Sequence, residues 1–197
     1  MKKTLIIIGT TIGLIVLIGI IWPWGFYNST IALQEDIKES WANVESSYQR
    51  RVDLIPNLVN TAKGYAQYEQ ETFLKVTEAR SKATSIQIDP SNITPEQLQQ
   101  FQQAQSGLTS ALSRLLAVFE RYPELKANEN FKELMNELER TENRINVERN
   151  RFNERITPYN TKIRSFPNNL FAKHYGFEEM KRFESDKGAE VAPKVEF

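Results

Sequence analysis

The feature that most limits what this chain can fold into is residues 5 to 22, LIIIGTTIGLIVLIGIIW, eighteen consecutive positions without a charge. At about 1.5 Å of helical rise per residue the run covers roughly 27 Å, close to the hydrocarbon thickness of a bilayer. A transmembrane anchor over residues 5–24 is expected, with Trp22, Trp24 and Tyr27 as an aromatic belt at one interface. A cleaved signal peptide is the competing reading. It is disfavoured because such peptides carry a shorter apolar core, roughly 7–15 residues, and WPWGFYNS offers no small-residue cleavage site. Lys2 and Lys3 flank one side, and the next cation on the other is Lys38. The positive-inside rule then predicts residues 1–4 in the cytoplasm and everything after Tyr27 outside.

With 197 residues, the remainder has room for one domain of ordinary size. Lys plus Arg and Asp plus Glu number 25 each, so no charge bias points to nucleic acid, and none is expected as a partner. The absence of cysteine excludes disulfides, thiolate metal sites, a cysteine nucleophile and a lipid-modified cysteine anchor. His174 is the single imidazole.

Heptad spacing dominates the rest. Ile37, Val44, Leu58, Tyr65 and Ala79 interleave with Trp41, Tyr48, Ile55, Ala62, Val76 and Ala83 in alternating steps of three and four, which is helical periodicity. A second stripe joins Leu98, Phe101, Leu108, Leu112, Leu115, Phe119 and Tyr122, interrupted by Gln105. A third runs Phe131, Leu138, Ile145, Phe152 and Tyr159, with Leu134 and Met135 at its start. SIQIDPSNITPEQ separates the first two stripes, with Thr94 before Pro95 as an N-cap followed by proline at the first helical position. RYPELKANENF separates the second and third, with Asn128 as the next cap. Short connections between amphipathic helices predict an all-α, elongated, antiparallel up-and-down bundle over residues 27–178 behind the membrane helix.

RRVDLIPNLV, residues 50–59, puts Pro56 inside the first stripe. An unbroken helix from about residue 28 to 85 would be roughly 87 Å long, more than twice the second. Two architectures follow. The chain bends sharply at Pro56 to give four helices, with Asp53 capping the new one and Arg50 and Arg51 at the C-terminal dipole of the piece before it. Otherwise three long helices form, the first kinked near Pro56, its lower half a stalk carrying Trp41 and buried by self-association into a homo-oligomer. The stripe keeps phase across Pro56, favouring the kink, whereas the match of lengths favours the fold-back and the four-helix reading.

Arg51 and Glu69 occupy seam positions of the first stripe, and Glu148 and Arg155 those of the third. They form a candidate polar layer of cross-helix ion pairs that fixes register. The competing reading is a narrowing stripe whose long side chains reach solvent.

No catalytic pattern is present: no G-x-S-x-G, no Walker-type glycine loop, no H-E-x-x-H. Glu137, Glu139 and Glu142 lie among arginines as a solvated face rather than a carboxylate metal site, and His174 reads as a surface residue. No cofactor, metal or enzymatic activity is expected. The segment NTKIRSFPNNLFAKHYGFEEMKRF concentrates Phe166, Phe171, Tyr175, Phe177 and Phe183 around Pro167 and Gly176. It is expected to wrap onto one end of the bundle; exposed, its aromatics make a candidate interaction patch for a protein partner or a membrane surface. Residues 179–197 read as a disordered tail.

At this point the residues support a resemblance. YNSTIALQEDIKESWANVE, YQRRVDLIPNLVNTAKGYAQYEQETFLKVTEARSKA and the stretch from LSRLLAVFERYPELKANENF to FAKHYGF resemble the LemA family of bacterial membrane proteins over residues 27–177. RRVDLIPNLV, YPELKANENF, TENRI and YNTKIRSFPNNL are the specific motifs; the loop SIQIDPSNITPEQ and residues 181–197 follow no pattern of the family. The resemblance implies one N-terminal span and a helical bundle, with no established biochemical activity and no catalytic residues to carry over. Association of some relatives with magnetosome membranes implies membrane organisation. The expectation is a single-pass, non-catalytic scaffold or protein-interaction module at the cell envelope, its protein partner unknown. A membrane-shaping or membrane-organising factor that engages lipid directly is the alternative, which the near-neutral charge weakens.

Overall fold

The computed structural model describes residues 2–65, 69–90 and 93–184. Four long helices, α1 (Lys2–Lys63), α2 (Gln70–Ser85), α3 (Pro95–Phe119) and α5 (Glu129–Arg164), run antiparallel in sequence, with two short ones, α4 (Pro123–Ala127) and α6 (Asn168–Ala172). No strand occurs among the described residues. The expected all-α bundle is the observed one.

The long first helix is a single piece. α1 carries the apolar run, long and apolar enough to cross a membrane, and continues without interruption into the bundle. The reversal expected at Pro56 does not occur there: Pro56 is interior to α1, and the chain turns back between Lys63 and Gln70, just after Gly64. Residues 66–68 lie outside the described residues. The length argument was sound but placed the turn too early. From Tyr27 to Lys63 α1 runs about 55 Å, the length of the 36-residue α5 against which it packs. Nor does Asp53 cap a helix; it sits mid-helix, exposed, accepting from Gln49 Nε2 at 2.8 Å.

Pro56 has no N–H to give the Val52 carbonyl, four residues back, so an intrahelical bond is missing. Arg80 of α2 supplies it from outside, donating through Nε to Val52 O at 3.1 Å. The break in the ladder is thus closed by the neighbouring helix.

The two interhelix caps form where the sequence puts them. Thr94 Oγ1 accepts from Gln97 N and Gln97 Oε1 accepts from Thr94 N, both at 3.2 Å, a reciprocal capping box with Pro95 at the first position. Asn128 Oδ1 accepts from Phe131 N at 3.0 Å at the start of α5.

Two apolar clusters fill the interior. The distal one holds Val52, Ile55, Leu58, Ala62, Phe73, Val76, Leu108, Leu115 and Phe131. The membrane-proximal one holds Ile37, Trp41, Val44, Phe101, Ile145, Phe152 and Ile156. α2 and α3 stop short of the membrane end of the bundle, and Ile88 and Ile93, flanking the α2–α3 connection, enter the proximal cluster in their place.

The rest of that gap is closed by residues 177–184, an extended strap along α5. Asn160 Nδ2 donates to Met180 O at 2.8 Å while Met180 N donates to Asn160 Oδ1 at 3.0 Å. Asn153 repeats the exchange with Phe183, at 3.0 and 2.8 Å. Seven helical residues and three extended ones both span roughly 10 Å, so the two asparagines are in register with the strap. Phe183 is buried, stacked on Trp41 at 6.0 Å and edge-on to Phe152 at 5.4 Å. The tail expected from residue 179 onward is therefore packed through Glu184; residues 185–197 lie outside the described residues.

Candidate functional site

The four seam charges do not form one layer. Arg51 is 1 % exposed and spans three helices: Nη2 donates to Gln105 Oε1 at 2.6 Å, and Nη1 donates to Thr109 Oγ1 at 3.1 Å and Glu142 Oε2 at 2.8 Å. Its guanidinium also lies 5.1 Å from the Tyr48 ring centre. Buried Thr141 and Ser47 lie near it along α5 and α1, and this polar layer separates the two apolar clusters. Gln105, an interruption of its stripe by composition, is the residue that receives the arginine and reaches back to Ala83 O at 3.5 Å. Arg51 Nε has no partner and is buried.

The other three members lie elsewhere. Glu69 sits at the distal end, bonded to Arg121 Nη2 at 3.0 Å. Glu148 is buried but its cations come from its own helix, Arg151 at 3.0 Å and Arg144 at 3.9 Å. Arg155 is exposed, on the rim of a shallow groove with Asp36 and Glu39. A heptad count places a residue on the seam but does not say whether a neighbouring helix covers it there, and the helices around Arg155 leave it open. Of the glutamates assigned to a solvated face, Glu139 is exposed, whereas Glu142 takes Arg51 and Glu137 bridges Arg50 and Arg140.

The aromatic segment after α5 divides into a buried and an exposed half. Phe177 is buried against Phe26 and Tyr27, with ring centres 5.8 and 5.7 Å apart. Phe171 packs partly against the proximal cluster. Tyr175 lies 5.2 Å from Tyr27 and 6.4 Å from Phe26. Phe166, in contrast, is 81 % exposed, and Leu170 is 63 %. The chain can reverse here because Gly176, at φ +74°, closes the turn after α6 in a left-handed conformation: Phe177 N donates to Ala172 O at 2.9 Å and Gly176 N to Lys173 O at 3.3 Å. The hook is tied to the span directly, since Trp22 Nε1 donates to Asn168 Oδ1 at 3.2 Å. His174 is exposed beside Tyr175.

Tyr159 closes the proximal end by donating its hydroxyl to Glu178 O at 3.0 Å. Burial pushes this phenol above the ordinary tyrosine value, against a hydrogen bond with Gln34 that lowers it, and the nearby Glu178 charge adds to the rise. Glu71, fully exposed, is held below the usual carboxylate value by the hydrogen bond and charge of Lys75. Among the described residues no group of three or more His, Asp or Glu side chains is placed to hold a metal ion.

Sequence reasoning passed over Arg80, Asn153 and Asn160, and read Gln105 only as an interruption of its stripe. The one available signal was the heptad interval between the two asparagines, which put the same amide on the same face one repeat apart.

Comparison with known proteins agrees with the motifs and extends their reach. A model described as the LemA family matches residues 40–197, so the similarity runs past residue 177 and includes the last residues, which the motifs alone had left unassigned. The chain is 28% identical over 175 residues to magnetosome protein MamQ 2 of Paramagnetospirillum magneticum, and 28% identical over 174 residues to magnetosome protein MamQ of Magnetospirillum gryphiswaldense. Each alignment covers 80% of this chain and 64% of the relative. Protein LemA of Metamycoplasma hominis is 28% identical over 149 residues, covering 76% of this chain and 64% of its own length. The chain thus spans about 64% of the length of the curated relatives it matches.

Proposed function

Because the chain belongs to the LemA family, whose model covers residues 40–197, we propose that it is a membrane-anchored scaffold: a rigid helical rod that presents interaction surfaces at the cell envelope and performs no catalysis. The observation that carries this reading is the continuity of α1, which passes from the apolar run through the Arg51 layer to the distal end as one helix. Any force or displacement applied to the bundle is transmitted to the span. Enzymes place reactive groups in concave, water-poor sites; the buried Arg51 instead spends both terminal nitrogens on bonds to other helices. Two matched relatives are named magnetosome proteins, and a role in organising other membrane components is the coarse function consistent with those names.

The orientation follows from charge: Lys2 and Lys3 remain cytoplasmic and the bundle lies outside. The partner is an envelope protein or a further copy of this chain.

In-cell crosslinking of the full-length chain, with identification of captured proteins, tests the scaffold role. Discrete envelope proteins captured by the full chain, and not by residues 1–30 fused to an unrelated domain, support it; identical capture by both overturns it. Labelling of Lys132→Cys by a membrane-impermeant maleimide in intact cells tests the orientation, and protection of that cysteine until lysis reverses it.

A further inference from the structure

The hook that follows α5 exposes large apolar side chains at the level where α1 leaves its apolar run. We propose that Phe166 and Leu170 insert into the headgroup–acyl boundary of the bilayer that α1 crosses, giving the rod a second membrane contact beside its span.

Three observations place the hook at the interface. The Trp22 to Asn168 hydrogen bond of 3.2 Å fixes α6 beside the last turn of the apolar run. Tyr175 lines one shallow depression with Gly19, Ile20, Pro23 and Trp24, so the hook reaches down alongside residues of the span itself. Trp22 and Trp24 are 49 % and 70 % exposed, and indoles at the ends of spans settle at headgroup depth. Side chains held at the same height share that environment.

The chemistry of the segment fits the location. Phe166 and Leu170 are among the most exposed large apolar residues outside the span, and a soluble bundle gains nothing by leaving them in water. From Thr161 to Phe177 the charged side chains are Lys162, Arg164 and Lys173, with no Asp or Glu. Arg164 shares a 3.3 Å contact with Glu179, where the strap begins. α1 carries no charge from Pro23 to Gln34. An apolar tip flanked by Lys162, Arg164 and Lys173, with the nearest acids of the segment, Glu178 and Glu179, set back where the strap begins, is the pattern of a protein segment seated about 5–10 Å into an anionic interface. The overall charge balance of the chain, which argues against lipid engagement, conceals this local asymmetry.

The consequence is orientational. A single span leaves a rod free to tilt and rotate about its anchor. Inserting a second point, beside α1 rather than on its axis, fixes which face of the bundle points along the membrane.

The proposal rests on the span lying in the bilayer, and the test separates the two. The chain has no cysteine, so single nitroxide labels can be placed at Ile12→Cys, Phe166→Cys, Leu170→Cys and Val147→Cys in the full-length protein. The protein is reconstituted in phosphatidylethanolamine–phosphatidylglycerol vesicles and its accessibility to oxygen and to a water-soluble nickel chelate is read by electron paramagnetic resonance. Both hook positions are exposed, so labelling them leaves the fold intact. The expected result is oxygen favoured strongly at position 12, favoured several-fold at 166 and 170, and the nickel chelate favoured at 147, about 26 Å along α5 from Arg164. Labels at 166 and 170 that match 147, with 12 still deep, overturn the hook insertion while leaving the anchor standing. Exclusion of both reagents from 166 and 170 also overturns it, because a protein surface then covers the hook. A water-accessible label at 12 overturns the anchored reading itself.

Discussion

Arg80 donates to the backbone carbonyl of Val52 at 3.1 Å, and Val52 is the residue whose carbonyl Pro56 leaves without an intrahelical donor. A helix breaker is tolerated in the middle of the longest helix because a second helix completes its ladder. Replacing Arg80 by Met strands that carbonyl in a partly buried position and is expected to cost about 1–2 kcal/mol. In a Pro56→Ala background the new N–H bonds Val52 instead, and the same Arg80 substitution is expected to cost about 1 kcal/mol less. Chemical unfolding of the four proteins in detergent measures this; equal costs in both backgrounds would mean that the two residues act independently.

The Arg51 layer is asymmetric in its dependence on its members. Arg51 is buried, whereas the Glu142 side chain is 41% exposed, so water screens that half of the pair. Arg51→Met is expected to lose about 3 kcal/mol by leaving the Gln105 amide oxygen without its donor. Glu142→Gln loses less than about 1 kcal/mol. Adding Gln105→Leu to Arg51→Met removes the stranded oxygen and recovers part of the loss. Thermal unfolding followed by circular dichroism ranks the three, and a larger loss from Glu142→Gln than from Arg51→Met is incompatible with this account.

The strap is held along its middle by four asparagine amide hydrogen bonds and the Phe183 plug, and near its ends by Tyr159 on Glu178 O and Arg149 on Glu184 O. Lys181 and Arg182 are exposed within it, yet trypsin must pull several residues away from α5 to cut there. Changing Asn153 and Asn160 together to Ala removes bonds worth about 1 kcal/mol each and is expected to speed cleavage at these sites by at least about tenfold. Phe183→Ala does the same and uncovers Trp41. Mass mapping of timed digests gives the rates; unchanged rates in both variants would show that the segment is not held.

The Tyr159 hydroxyl makes alkaline pH a local stress. Its folded pKa is raised by burial, above the ordinary value of about 10 in the unfolded chain. The neutral form is the one the fold prefers, so its contribution is fully present below about pH 10 and is lost as pH rises through the folded value. Wild type is expected to exceed Tyr159→Phe by about 1 kcal/mol, the hydrogen bond to Glu178 O, from pH 7 to 9. That advantage shrinks above about pH 10. Unfolding midpoints at intervals from pH 7 to 11 read it directly, and an advantage that grows with alkalinity has the wrong sign.

Much of the architecture was written in local pattern. The uncharged run, the three stripes and the caps at Thr94 and Asn128 each depend on residues within a turn or two of one another, and hydrophobic spacing at seven residues has one economical reading in water. Those elements were legible before any fold was known. What local pattern could not hold was the choice of partner. Arg51 and Arg155 occupy equivalent seam positions, yet one meets Gln105 and Glu142 across two helices and the other faces open solvent. Pro56 stays inside α1, where Arg80, 24 residues further on, supplies the bond the proline cannot make. Residues 179–184, polar and irregular by composition, are ordered by Asn153, Asn160 and the Trp41 face. Sequence fixes which faces are greasy and where helices begin; burial of a charge, repair of a backbone gap and docking of an extended segment are energies shared between residues far apart in the chain, and they exist only once the helices have met.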